Sequence, residues 1–212
     1  MGKSTQLENL AQWLREQGQD VLTTREPGGT PLGEKLRQVL LSSRTEGLSP
    51  LTELGLMFSD RAQHIDEFIL PAVQRGQWVL CDRFTDSSEA YQGGGRELGS
   101  DTVLQLHKIL CRDLKPDLTI LMFSDLGRSV NRARRRNQQD AAQQEHDENR
   151  FEKEDRVFYR RVHDAYMAIA AREPDRVVAV DASEPIVKVR KRIAEIVSQR
   201  FDLTAVSARS RR

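Results

Sequence analysis

Apolar residues at Leu7, Leu10, Ala11 and Leu14 recur at the spacing of one helical face, and Gly18 supplies a stop, so the pattern predicts a helix over residues 4–17. A short strand follows over 20–24, then a turn-rich stretch, then a helix over 31–41 with Pro31 in its first turn. A Ser/Gly/Pro break at 42–50 precedes a long helix over 51–75 that closes at Gly76. Residues 78–81 form an unbroken apolar run, the signature of a strand covered on both faces of a parallel sheet. Beyond it the pattern predicts a short helix over 85–91, a flexible turn at 92–96, and a helix over 101–110 with Val103, Leu104, Leu106 and Leu110 inward. A strand over 118–123 leads into a helix over 125–136. The stretch 137–149 is polar, rich in Gln and nearly free of large apolar residues, so it reads as a mobile lid, with bounds of about 137–150. A helix over 151–171, a strand over 177–180 and an amphipathic helix over 185–201 complete the pattern, and residues 203–212 read as a disordered basic tail.

Helices alternating with short apolar strands predict an α/β fold, a parallel sheet flanked by helices with a lid, in one domain over residues 1–202. Composition narrows the function. With 212 residues, 38% hydrophobic and 31% charged, the chain can bury one core, and its longest apolar runs are strand-sized, which argues against a membrane partner. Lys+Arg number 33 against 32 Asp+Glu, and a net charge of +1 argues against a general nucleic-acid binder. Cys81 and Cys111 lie in no CxxC pair, and His64, His107, His146 and His163 have no ligand spacing, so neither set suggests a metal centre. The cysteines read as reduced residues of a cytoplasmic protein.

Three stretches carry chemistry. Gly2-Lys3-Ser4-Thr5 is the closing half of a phosphate-binding loop, in which a Lys faces phosphate oxygens, a hydroxyl reaches Mg²⁺ and the following helix offers its positive end. Such a loop sits between a buried strand and a helix, so the pattern expects a central strand and the first loop glycine to precede Met1, outside this chain. Asp82-Arg83 is released at the carboxyl end of the apolar run 78–81, where α/β sheets bind ligands, although a surface ion pair would look the same. Thr24-Arg25-Glu26-Pro27-Gly28-Gly29-Thr30 sets an Arg and a Glu beside a loop of unusual backbone freedom. The Arg132–Arg136 cluster reads equally as a solvated helix face, and Phe58 equally as a core residue.

Taken together, these stretches resemble the bacterial thymidylate kinases over about residues 2–200, through Gly2–Gln6, Thr24–Thr30, Phe58–His64, Cys81–Phe84, Ala90–Arg96, Lys115–Thr119 and Arg150–Glu152. The resemblance implies transfer of the γ-phosphoryl group of ATP to dTMP, with Mg²⁺ as cofactor, ATP and dTMP as the small-molecule partners, and a homodimer. It places Gly2, Lys3, Ser4, Thr5 and Arg132 on ATP, Ser4 and Asp82 on the metal, directly or through water, and Lys3, Asp82, Arg83, Arg136 and Arg150 in catalysis. Arg83 would hold the acceptor phosphate, with Arg25, Glu26 and Pro27 nearby. Phe58 would stack on thymine and Arg61 read its edge, Ser88 or Gln92 would address the base, and Tyr91 would pack under the sugar. A kinase for another monophosphate such as dUMP, or a shortened non-catalytic nucleotide-binding paralogue, are the alternatives.

Overall fold

The computed structural model describes residues 2–124 and 148–203. The expected helix over 125–136 with Arg132 and Arg136, most of the lid, and the tail beyond Leu203 lie outside the described residues. The described elements run α1 (Lys3–Glu16), β1 (Val21–Arg25), α2 (Pro31–Leu41), α3 (Pro50–His64), α4 (Leu70–Gln74), β2 (Trp78–Asp82), α5 (Thr85–Ser88), α6 (Ser100–Leu110), β3 (Thr119–Phe123), α7 (Arg156–Arg172), β4 (Val177–Asp181) and α8 (Ile186–Arg200).

Local signals account for most of these boundaries. Thr30 caps α2 by accepting from the Gly33 amide, Ser49 caps α3 by accepting from Thr52, and Asp155 caps α7 by accepting from Phe158. The cap at Asp155 splits the helix expected from 151 to 171 into a single 3-10 turn, Phe151–Lys153, and α7. Between α3 and α4 the long helix continues through a π turn, Ile65–Ile69. Pro71 explains the widening, because its ring nitrogen cannot donate to the carbonyl one turn earlier.

The strands form two parallel pairs. In one, β1 runs beside β2 with Val21 opposite Trp78 and Arg25 opposite Asp82; in the other, β3 runs beside β4 with Thr119 opposite Val177. Among the described residues no strand joins the pairs, and every residue of β2 and β3 is partly exposed. The full burial expected for 78–81 is therefore corrected to half-burial, because among the described residues β2 has β1 as its one strand neighbour. On one face a single core joins both pairs to α1 and α8 through Ala11, Leu14, Val21, Val180, Ile193 and Val197. On the other, Leu54, Phe58 and Ile65 of the long helix meet Val103 of α6.

Two further expectations are corrected. Residues 92–96 are no flexible turn: Glu89–Gly95 is a π-helical segment continuing α5 and packed on α7. A Cβ on Gly94 would lie 2.7 Å from the Ala165 Cβ and one on Gly95 2.6 Å from the Phe158 ring, so glycine serves close approach there. In α6 Val103 and His107 are buried, and Leu104 and Leu106 are partly buried with Leu106 packed on the core. Leu110 alone of the expected inward residues is exposed, since the turn that would carry it inward spends its buried position on His107, whose ring meets the Thr85 hydroxyl.

Candidate active site

Because β1 and β2 are parallel, their carboxyl ends open side by side, and the chain places its charged residues there. Arg25 and Asp82 are register partners at this rim, with Glu26 and Arg83 one residue beyond. Arg83 has φ of 76°, a left-handed conformation that is costly for a side chain other than glycine. Its guanidinium lies over the Tyr91 ring, 5.0 Å from the centroid. Tyr91, Tyr166 and Asp82 all favour the charged form, so Arg83 is cationic at any relevant pH.

At the amino end of α1, Gly2 takes a left-handed conformation, φ 65°, and no acidic side chain occupies the first turn. The first-turn amides therefore keep their positive end toward the rim. Lys3 reaches Asp82, its Nζ 3.3 Å from Oδ1, with both side chains partly exposed, and Ser4 and Thr5 are exposed on the same turn. A carboxylate and a hydroxyl are hard oxygen donors suited to Mg²⁺, and an ammonium group already lies against that carboxylate, so the residues fit a cation here.

The opposite wall is buried. Arg61, only 2% exposed, donates from Nε to Glu26 Oε2 at 2.7 Å and from Nη2 to Ser88 Oγ at 3.0 Å, while its Nη1 has no partner. The guanidinium lies 4.8 Å from the Phe58 ring centroid and 5.3 Å from that of Phe84. Phe58 is fully covered, so its ring meets Arg61 and the core of the long helix rather than open space. Glu26, in a cis peptide with Pro27, also holds His64, Oε1 to Nδ1 at 2.9 Å. One residue before Arg61, Asp60 accepts from the Gly28 amide at 3.0 Å. Burial pushes the Asp60 carboxyl up to about 7, against the Gly28 hydrogen bond.

Other expected site residues are placed differently. Arg25 is exposed and donates to Glu34, and Gln92 is buried and donates to Glu53 Oε1 at 2.7 Å. Arg150 is held by Glu53, Nη1 to Oε2 at 2.7 Å, and by the Leu40 carbonyl, so it reaches ATP only if it leaves them. Glu53, Asp60 and His64 were not singled out from the sequence. Their signal was ionisable residues on the buried stripe of α3, recurring with Leu54, Met57, Phe58 and Arg61. Glu26, His64 and Cys81 also bring ligand-type atoms within 4.8 Å of one another. Glu26 is committed to Arg61 and His64, and burial pushes the Cys81 thiol up while it donates to the Arg83 carbonyl, so the trio does not read as a metal site.

This geometry can be set beside known proteins. The family model described as thymidylate kinase matches residues 1–193. The chain belongs to the thymidylate kinase family. It is 44% identical over 198 residues to the thymidylate kinase of Alcanivorax borkumensis, covering 93% of this chain and 91% of that protein. It is likewise 44% identical over 203 residues to that of Pseudomonas fluorescens, covering 96% and 92%. Among solved structures, the thymidylate kinase of Ehrlichia chaffeensis superposes with a TM-score of 0.72 at 30% identity, covering 93% of this chain and 92% of that one. The expected P-loop kinase fold and family are thereby shown, and with them phosphoryl transfer from ATP to dTMP, giving dTDP.

Proposed function

We propose that this thymidylate kinase divides its reaction between the two walls of the β1–β2 rim. The donor wall is Gly2, Lys3, Ser4 and Thr5 with the positive end of α1, which takes the β and γ phosphates of ATP. Asp82 and Ser4 would hold Mg²⁺, which when bound with ATP supplies positive charge to the phosphate oxygens. The acceptor wall is Arg83 on the dTMP phosphate, with Arg25, Glu26 and Pro27 beside it, and Arg61 and Ser88 on the base edge. Phe58 supports Arg61 from beneath, Gln92 holds the base wall through Glu53, and Tyr91 backs the sugar and Arg83. Arg132, Arg136 and Arg150 are the arginines proposed to close over ATP.

An oxygen of the dTMP phosphate attacks the γ phosphorus, the bond to the β–γ bridging oxygen breaks, and ADP leaves. Two anions must meet in line, so the chain's work is positioning and charge neutralisation. Lys3 neutralises the donor side, and Arg83, whose charge is permanent, neutralises the acceptor side. The observation that carries this reading is the unpartnered Nη1 of Arg61, a donor whose burial is costly without an acceptor and which the base reaches once the groups covering it move aside. Thymine offers a carbonyl edge of that kind. The enzyme is further proposed to act in the cytoplasm as a homodimer, the exposed Ile109 and Leu110 of α6 and Leu51 of α3 supporting an apolar contact.

Steady-state assay with Mg-ATP tests the acceptor wall. Arg83→Ala is expected to lower kcat/KM for dTMP by about 10²-fold or more, the loss of one positioned charge on a transferring phosphate. A loss within about threefold would remove Arg83 from the site.

A further inference from the structure

His64 has no direct place in this reaction, yet it is fully buried between two parts of the acceptor wall. Its Nδ1 lies 2.9 Å from Glu26 Oε1 and its Nε2 2.7 Å from Thr24 Oγ1. A carboxylate only accepts, so Nδ1 carries the proton, and in the neutral ring Nε2 accepts the Thr24 hydroxyl proton. The ring therefore ties the end of β1 to the one carboxylate that orients Arg61 through Nε. Gly29 is shaped around this contact: a Cβ there would lie 2.6 Å from both His64 Nε2 and Thr24 Oγ1. Glu26 thus divides its two oxygens, one for Arg61 and one for His64, and the direction of the guanidinium depends on both.

From this geometry we infer that His64 is a positioning residue for dTMP recognition, acting through Glu26 on Arg61. The inference rests on the proposed contact between Arg61 and the base. The two side chains share a partner, so their effects are coupled and fall short of additivity. A residue that merely filled the core would act independently of Arg61.

The test is a double-mutant cycle on the full chain at saturating Mg-ATP, reading KM for dTMP. Arg61→Ala is expected to raise that KM by about tenfold or more, the loss of a charge-assisted hydrogen bond. His64→Leu is expected to raise it about three- to tenfold with Arg61 present and less than about twofold with Arg61→Ala, leaving KM for ATP unchanged. His64→Asn, whose amide can stand at the Nδ1 position, is expected to restore most of the loss. Additive effects, or equal losses in the Asn and Leu variants, would overturn the role of His64 and leave that of Arg61 intact. An unchanged KM in Arg61→Ala would overturn the base-contact reading and this inference together. Should Leu at position 64 prevent folding, Thr24→Val removes one hydroxyl from the same chain of contacts and takes its place in the cycle, with the same two outcomes.

Discussion

The two walls of the active site are built on opposite principles. On the donor wall Lys3 and Asp82 meet at 3.3 Å with about a third of each side chain exposed, beside a helix end whose amides face outward. On the acceptor wall Arg61 and Glu26 meet at 2.7 Å with 2% of each exposed, flanked by His64 and Ser88. An exposed pair in high dielectric contributes little and rearranges freely, so the donor wall is organised by its ligand. A buried pair is costly to break and holds one geometry, so the acceptor wall is organised before dTMP arrives. Selectivity for the base belongs on the rigid wall, because a fixed donor penalises a substrate that lacks the matching acceptor.

The largest break in this contrast should come from Glu53. Its buried carboxylate accepts from Gln92 and pairs with Arg96 and Arg150, tying α3 to the π segment and to the residues before α7. Glu53→Ala takes the buried counter-charge from Arg150 and leaves Arg96 with Glu154 alone, and a loss of about 3–5 kcal/mol in unfolding free energy is expected from denaturant titration. A loss below about 1 kcal/mol would show that this side is no more rigid than the donor wall.

Asp60 gives a smaller, pH-dependent effect. Its carboxyl is raised from 3.8 to about 7 in the fold, with burial the main cause, so the folded state holds the proton that the unfolded state has released. Its contribution to stability is complete below about 3.8 and is lost as pH rises toward about 7. Asp60→Asn keeps an oxygen for the Gly28 amide and abolishes the titration. Thermal unfolding should then show the variant gaining on the parent between pH 5 and pH 8, whereas parallel profiles would place Asp60 in an ordinary, solvated setting.

Least of all should stability depend on Lys3. Lys3→Ala is expected to cost under about 1 kcal/mol in unfolding free energy while sharply lowering phosphoryl transfer. A large stability loss would mean that the donor wall is preformed too.

The contrast also explains what could be read from sequence. The donor wall was legible because its chemistry is local: four consecutive residues, Gly2 to Thr5, and a charged pair at the end of one apolar run. Strand and helix positions followed from periodicity, with α2 predicted at its observed limits, Pro31–Leu41. The acceptor wall was half legible. Glu26 stood out beside its Pro-Gly-Gly loop and Arg61 came from family resemblance, but the links through Asp60 and His64 join residues 32 and 38 apart, which no local pattern encodes. Glu53 was hidden for a related reason, since a charge on a helix reads as solvent-facing until its partners from distant segments are known. The glycines at 94 and 95 misled in the other direction: sequence shows their freedom, and packing against α7 shows their use.

The central claim, that base recognition is preformed around one buried guanidinium, is tested most directly by calorimetric binding of dTMP to the parent and to Arg61→Ala. The account predicts that dTMP affinity falls by at least about tenfold, as expected for a charge-assisted hydrogen bond of roughly 1.5–3 kcal/mol, while ATP binds as before. Equal dTMP affinity in the two proteins would contradict it.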